Sequence, residues 1–140
     1  MIAANILPAT EELRKKVVLL VEDDLMNQVT IRRFIEKKYR VIITASSDEA
    51  MEIVKKEKID IILMDISIKG SRNGLELTKE LKASREFSHI PVIVVTAHAF
   101  EEDKQNALEA GCDSYLAKPF SLNQLLNKID KLVQSSYLKD

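Results

Sequence analysis

Apolar residues in this chain gather into five short runs, each stopped by polar or turn-forming residues. Lys16-Val17-Val18-Leu19-Leu20-Val21 runs into Glu22-Asp23-Asp24, and Val41-Ile42-Ile43-Thr44-Ala45 runs into Ser46-Ser47. Ile61-Ile62-Leu63-Met64 lies between Asp60 and Asp65, with Ile66-Ser67 following. Ile90-Pro91-Val92-Ile93-Val94-Val95 leads to Thr96-Ala97, and Ser114-Tyr115-Leu116-Ala117 leads to Lys118-Pro119. Runs this short, without alternation, read as strands buried on both faces, as parallel strands are. Pro91 suits a strand start, where no ladder donor is lost.

The segments between these runs carry helical signals. After Glu22-Asp23-Asp24, the residues Leu25, Met26, Val29, Ile31, Phe34 and Ile35 predict a helix apolar around much of its circumference, ended by Lys37-Lys38 with a charge suited to a helix C-terminus. Ser46 with Glu49, Asn73 with Glu76 and Ser121 with Gln124 are capping pairs. They open helices that turn inward Ala50, Met51 and Val54, then Leu75, Leu77 and Leu81, then the stripe Leu122, Leu125, Leu126, Ile129, Leu132 and Val133. The helix from Phe100 to Ala110 has thin apolar content and ends at Gly111, which suits the left-handed position after a helix. Five strands alternating with five helices make a single doubly wound parallel α/β domain over 16–134. Residues 1–15 are expected to be an extension outside the core, and 135–140 a tail, with fraying from Gln134 onward. Periodicity alone leaves the strand order open.

Composition narrows the class without naming a function. With 46% hydrophobic and 31% charged residues in 140, the chain matches one ordinary globular domain. A formal net charge of -1 gives no electrostatic reason to expect nucleic-acid binding. The single Cys112 excludes an internal disulfide and suits a reducing cytosol. No apolar run reaches membrane-spanning length, and the N-terminus lacks the basic start and apolar core of a signal peptide. The expected setting is therefore cytoplasmic, with no direct membrane or nucleic-acid partner. The chain stops soon after its last helix, so no output domain is expected within it.

The polar residues at the strand ends change the picture. If the strands are parallel, Glu22, Asp23, Asp65, Thr96 and Lys118 share one edge, where open α/β sheets bind ligands. Two carboxylates about 5 Å apart repel by roughly 3 kcal/mol at an effective dielectric near 20. Lys118 supplies one positive charge, and an incomplete all-oxygen cage suits Mg²⁺. The competing reading is a set of helix caps made by Asp23 or Asp24. A carboxylate can attack phosphorus to give an aspartyl phosphate, with Mg²⁺, an ammonium and a hydroxyl orienting the phosphoryl oxygens. Gly70, Gly74 and Gly111 form no nucleotide-binding loop, so the phosphoryl group is expected to come from another molecule.

The motifs VLLVEDD, DIILMD, PVIVVTA and YLAKPF, in this order and spacing, resemble a response-regulator receiver domain of two-component signalling over roughly Lys16 to Gln134. The resemblance implies a flavodoxin-like sheet of order 2-1-3-4-5 and a phospho-accepting switch with Asp65 as acceptor. It implies that Asp23 ligates Mg²⁺ directly, that Glu22 acts through water, and that the Ser67 main-chain oxygen is a further ligand. Lys118 and Thr96 would contact the phosphoryl group, Ala97 would leave room for it, and Tyr115 matches the aromatic switch position. Implied partners are a sensor histidine kinase or a histidine phosphotransfer protein, a downstream output partner, and a second copy in a phosphorylation-dependent homodimer. The domain would not be an enzyme acting on a separate substrate, although it would promote its own phosphorylation and dephosphorylation.

This chain departs from the pattern at Ile68-Lys69-Gly70, where many family members carry Met-Pro, and its loop to Gly74 looks one residue longer. Glu22 stands where an aspartate is commoner. The rival class is a haloacid-dehalogenase-like phosphatase, but its second aspartate is replaced here by Ser67 and no cap insertion is present. A receiver-like module that never takes phosphate is disfavoured by the intact acidic set and Lys118. His98 resembles a position that tunes phosphoryl lifetime, against the plainer reading of a solvent-facing loop histidine. His89 has no partner visible in sequence, and Cys112 reads as a small buried hydrophobe.

Overall fold

The computed structural model describes residues 14–97 and 100–138. Its strands are β1 (Val17–Val21), β2 (Arg40–Thr44), β3 (Ile61–Asp65), β4 (Val92–Thr96) and β5 (Ser114–Ala117). Its helices are α1 (Leu25–Ile35), α2 (Ser47–Lys56), α3 (Gly74–Ala83), α4 (Glu101–Glu109) and α5 (Leu122–Leu138). All pairings are parallel, and the order is β2-β1-β3-β4-β5, as the resemblance implied.

Alternation along each strand divides the core between the two faces of the sheet. Val17, Leu19, Val21, Ile62 and Met64 pack with Ala50 and Val54 of α2, Leu77 and Leu81 of α3, and Ala107 of α4. Val18, Leu20, Ile61 and Leu63 pack on the opposite face with Ile31 and Ile35 of α1 and Leu125 and Ile129 of α5. Both faces of β1, β3 and β4 are covered, which is why their sequences carry unbroken apolar runs.

Local signals explain most helix starts. Asp24 accepts from the Asn27 amide, Ser46 from those of Asp48 and Glu49, and both Asn73–Glu76 and Ser121–Gln124 form reciprocal capping boxes. Gly111 takes φ +97° after α4. Two placements are made more precise and one expectation changes. Leu25 and Met26 are 70% and 74% exposed and Val29 is also exposed, because α1 turns only one side to the sheet. Met51 is half-buried at the rim of its cluster. α5 remains helical to Leu138, so the fraying expected from Gln134 onward does not begin there. The expectations for His98, for residues 1–13 and for 139–140 lie outside the described residues.

α4 differs from its neighbours. Phe100 at its start makes no capping bond through its side chain, Ala107 is its one buried residue among those described, and Phe100 and Leu108 are exposed. So little buried apolar area leaves α4 weakly held against the sheet.

Candidate functional site

Because all five strands point the same way, the expected residues meet at the carboxyl edge of the sheet. Glu22 follows β1, Asp65 ends β3, Thr96 ends β4 and Lys118 follows β5. The Lys118 amide donates to the Thr96 carbonyl at 2.7 Å, which ties the lysine backbone to the end of β4. Its Nζ then lies 2.8 Å from Asp65 Oδ2 and 3.1 Å from Glu22 Oε1. The Lys118–Pro119 peptide is cis. Asp65 Oδ1 accepts from the Ser67 amide at 3.0 Å, and Glu22 Oε2 from the Asp24 amide at 3.1 Å.

Glu22, Asp65 and Thr96 are buried, at 2%, 7% and 1% exposure. Burial and the neighbouring Asp65 charge push the Glu22 carboxyl above its ordinary value, despite the lowering effect of the Asp24 amide and Lys118. For Lys118, burial acts downward, but the bonds and charges of Asp65 and Glu22 outweigh it and hold the ammonium above the usual lysine value. One ammonium therefore serves two buried carboxylates, and negative charge is left over. The donors are hard oxygens in an incomplete set, with the Ser67 main chain alongside, and this chemistry fits Mg²⁺. Asp23 is exposed at the same edge, apart from the Lys118 ion pairs. Among the described residues no three acidic, His or Cys side chains form a ready metal-holding group.

The remaining expected residues fall around this centre. Ala97 lines a shallow cleft with Asn27, Thr30, Lys118, Pro119 and Phe120. Tyr115 is half-buried against the α2–α3–α4 side of the core, and its hydroxyl is pushed up by burial and by Asp103 of α4. His89 is exposed. Cys112 is half-buried rather than buried, because it follows the turn at Gly111, and burial and Asp113 raise its thiol.

Two contributors had little signal in sequence. Gln28 Nε2 donates to the Glu22 carbonyl at 2.6 Å from one turn into α1. Gly74 starts α3 directly against the Asp65 backbone, and a Cβ there would overlap the Asp65 carbonyl oxygen. A glycine right after an N-cap, where better helix formers are available, was the one hint of that close approach. Gly74→Ala is expected to cost about 2–3 kcal/mol, since backbone rather than a flexible side chain must yield. A melting curve checks this, and an unchanged midpoint would show that the approach can relax.

Residues 18–130 match the sequence model of the response regulator receiver domain. The chain belongs to that family. Receiver domains are signalling switches that accept phosphoryl groups from histidine kinases, and they are not classical enzymes. The phosphatase alternative is not favoured. The polar-differentiation response regulator DivK of Brucella ovis is 40% identical over 126 residues, covering 89% of this chain and 98% of that protein. A CheY-like receiver domain from Methanospirillum hungatei superposes with TM-score 0.82 at 28% identity, covering 90% of this chain and 99% of the other. The receiver domain of a Pseudomonas aeruginosa sensor histidine kinase, solved with magnesium coordinated in its active-site cleft, gives TM-score 0.78 at 32% identity, covering 86% and 98%. No helix among the described residues of this receiver domain is long and apolar enough to cross a membrane.

Proposed function

We propose that this receiver domain takes a phosphoryl group from a phosphohistidine donor onto Asp65, with Mg²⁺, and thereby changes the surface it offers to a partner. The observation that carries the proposal is the Lys118 ammonium held between the buried Glu22 and Asp65 carboxylates at the mouth of the sheet. In the transfer, an Asp65 oxygen forms a bond to phosphorus while the bond from phosphorus to the donor imidazole nitrogen breaks, and the imidazole keeps that electron pair. Lys118 neutralises phosphoryl charge that would otherwise face Glu22, and Thr96 donates its hydroxyl to a phosphoryl oxygen. Glu22, Asp23, Asp65 and the Ser67 main-chain oxygen would hold Mg²⁺, and the bound ion would supply further neutralisation of the phosphoryl oxygens.

The donor is a sensor histidine kinase or a histidine phosphotransfer protein acting in the cytoplasm. The output is a population shift in α4 and β5. Thr96 lies at the end of β4 just before α4, Tyr115 lies in β5 beneath it, and α4 is held by little apolar area. As Thr96 turns toward the phosphoryl group, the Tyr115 ring follows inward and α4 shifts, exposing a surface for the output partner or for a second copy. Amide hydrogen exchange with and without beryllofluoride and Mg²⁺ tests this, with the largest change expected in residues 97–118. A change confined to the loop after Asp65 would show that the switch runs elsewhere.

A further inference from the structure

The loop leaving Asp65, where the chain departs from the common receiver pattern, is strapped to the start of α2. Lys69 pairs with Ser46 as an extra parallel bridge, in which the Lys69 amide donates to the Ala45 carbonyl at 3.0 Å and the Ser47 amide to the Lys69 carbonyl at 2.8 Å. Gly70, at φ +106°, passes so close that a Cβ would stand 2.5 Å from Ser47 Oγ and 2.9 Å from an Asp48 oxygen. Asp48 then gathers the next turn, accepting from the Ser71 amide at 3.0 Å, the Ser71 hydroxyl at 2.6 Å and Arg72 Nη1 at 3.1 Å. The Arg72 amide donates to Ser47 Oγ at 3.1 Å, and its guanidinium also pairs with Glu80 of α3. The same loop carries Ser67, whose amide holds Asp65 Oδ1.

We propose that Asp48 is a positioning residue for phosphoryl acceptance, holding loop 66–73 through Ser71 and Arg72 so that the Ser67 main chain stays in place beside Asp65. The inference rests on the reading of Asp65 as acceptor and extends it to a carboxylate on a different helix. The Ser71 bonds and Arg72 keep the Asp48 carboxyl below its ordinary value, so it is a charged acceptor at neutral pH. Asp48 and Glu80 are largely exposed, and exposed ion pairs add little to global stability. The consequence therefore falls on the loop's geometry, and partners that orient metal-side groups typically change affinity by about tenfold or more.

The test compares the full chain with Asp48→Ala, Asp48→Asn, Ser71→Ala and Glu49→Ala. Glu49 shares the first turn of α2 and controls for the loss of a charge at the helix start. Three quantities are read: the Mg²⁺ concentration giving half-maximal labelling by acetyl phosphate, amide exchange in 66–73, and the melting midpoint. Asp48→Ala is expected to raise the Mg²⁺ requirement about tenfold, with labelling at saturating Mg²⁺ within about twofold of the parent, faster exchange in the loop and a nearly unchanged midpoint. Asp48→Asn, which keeps an acceptor oxygen, should recover much of the shift, and Glu49→Ala should match the parent. If Asp48→Ala fails to fold, Ser71→Ala decides through the same readouts with a smaller shift in the same direction. Parent-like Mg²⁺ dependence and loop exchange in both variants would overturn the inference. A parent chain that takes no label at all would instead contradict the acceptor reading, and loop exchange would still report on the strap.

Discussion

Asp65→Asn is expected to take up no phosphoryl group from acetyl phosphate or from a phosphohistidine protein, at any Mg²⁺ concentration. An amide oxygen at that position is a far poorer nucleophile than a carboxylate, and the Glu22 carboxylate that stays beside Lys118 is buried at 2% exposure. The substitution is nearly isosteric and leaves Lys118 paired with Glu22, so the loss should be chemical rather than structural. It also removes one of two buried negative charges that face each other, which lowers the cost of keeping Glu22 ionised. The variant should therefore melt no lower than the parent in Mg²⁺-free buffer. Intact-mass measurement beside a melting curve checks both halves, and a folded variant labelled like the parent would place the acceptor elsewhere.

Lys118→Met is expected to damage stability most in the absence of Mg²⁺. It leaves Glu22 and Asp65 buried side by side without their shared cation, and breaking a buried charge set strands the remaining charges. Because Lys118 itself is partly open to solvent, the cost at pH 7.5 is set at roughly 2 kcal/mol rather than the full value for a closed site. For a domain of this size that corresponds to a midpoint lowered by about 6–8 °C.

The direction of the pH dependence follows from Glu22. Its folded-state value is already raised, so the folded state binds more protons than the unfolded one, and stability falls as pH rises through that raised value. Removing the ammonium raises Glu22 further. The variant's deficit should thus be largest above that range and shrink as pH falls through it toward the ordinary glutamate value. Lys118 contributes with the same sign at higher pH, because its raised value supplies stability that is complete below the ordinary lysine value and lost only at strongly alkaline pH. If the proposed site takes Mg²⁺, the ion should restore much of the lost midpoint, since a ligand that binds the folded state and not the unfolded chain stabilises the fold. Thermal melts at pH 5 and 7.5, with and without Mg²⁺, check this. An equal deficit under all four conditions would mean that the lysine stem's packing, not its charge, is what was lost.

The architecture was legible because the chemistry and the pattern coincide at the strand ends. Four apolar runs each end in a polar residue, and a parallel sheet has one edge on which such residues can meet. Strand order was not legible from periodicity, because nothing in a five-residue run states its neighbour, and it entered through the resemblance. α1 shows a second limit. A helix apolar around much of its circumference does not say which side meets the sheet, and Leu25, Met26 and Val29 lie outside the stripe that Ile31 and Ile35 turn to it. The strap on the loop after Asp65 was hidden for another reason. Asp48 and Ser71 are 23 residues apart, and only the fold brings the start of α2 beside that loop. Asp23 follows β1 and is exposed, a difference from the buried Glu22 beside it that the run Glu22-Asp23-Asp24 does not specify.

The central claim is acceptance of a phosphoryl group by Asp65, and mapping the modified residue tests it most directly. The full chain is incubated with a phosphorylated histidine phosphotransfer protein, with Mg²⁺ or with chelator, and analysed by intact mass and then by peptide mapping after borohydride reduction of acyl phosphates. The expected result is one phosphoryl group, gained only with Mg²⁺, with the reduced residue at position 65. Label on His89, His98 or a hydroxyl residue, or equal uptake in chelator, would contradict the account.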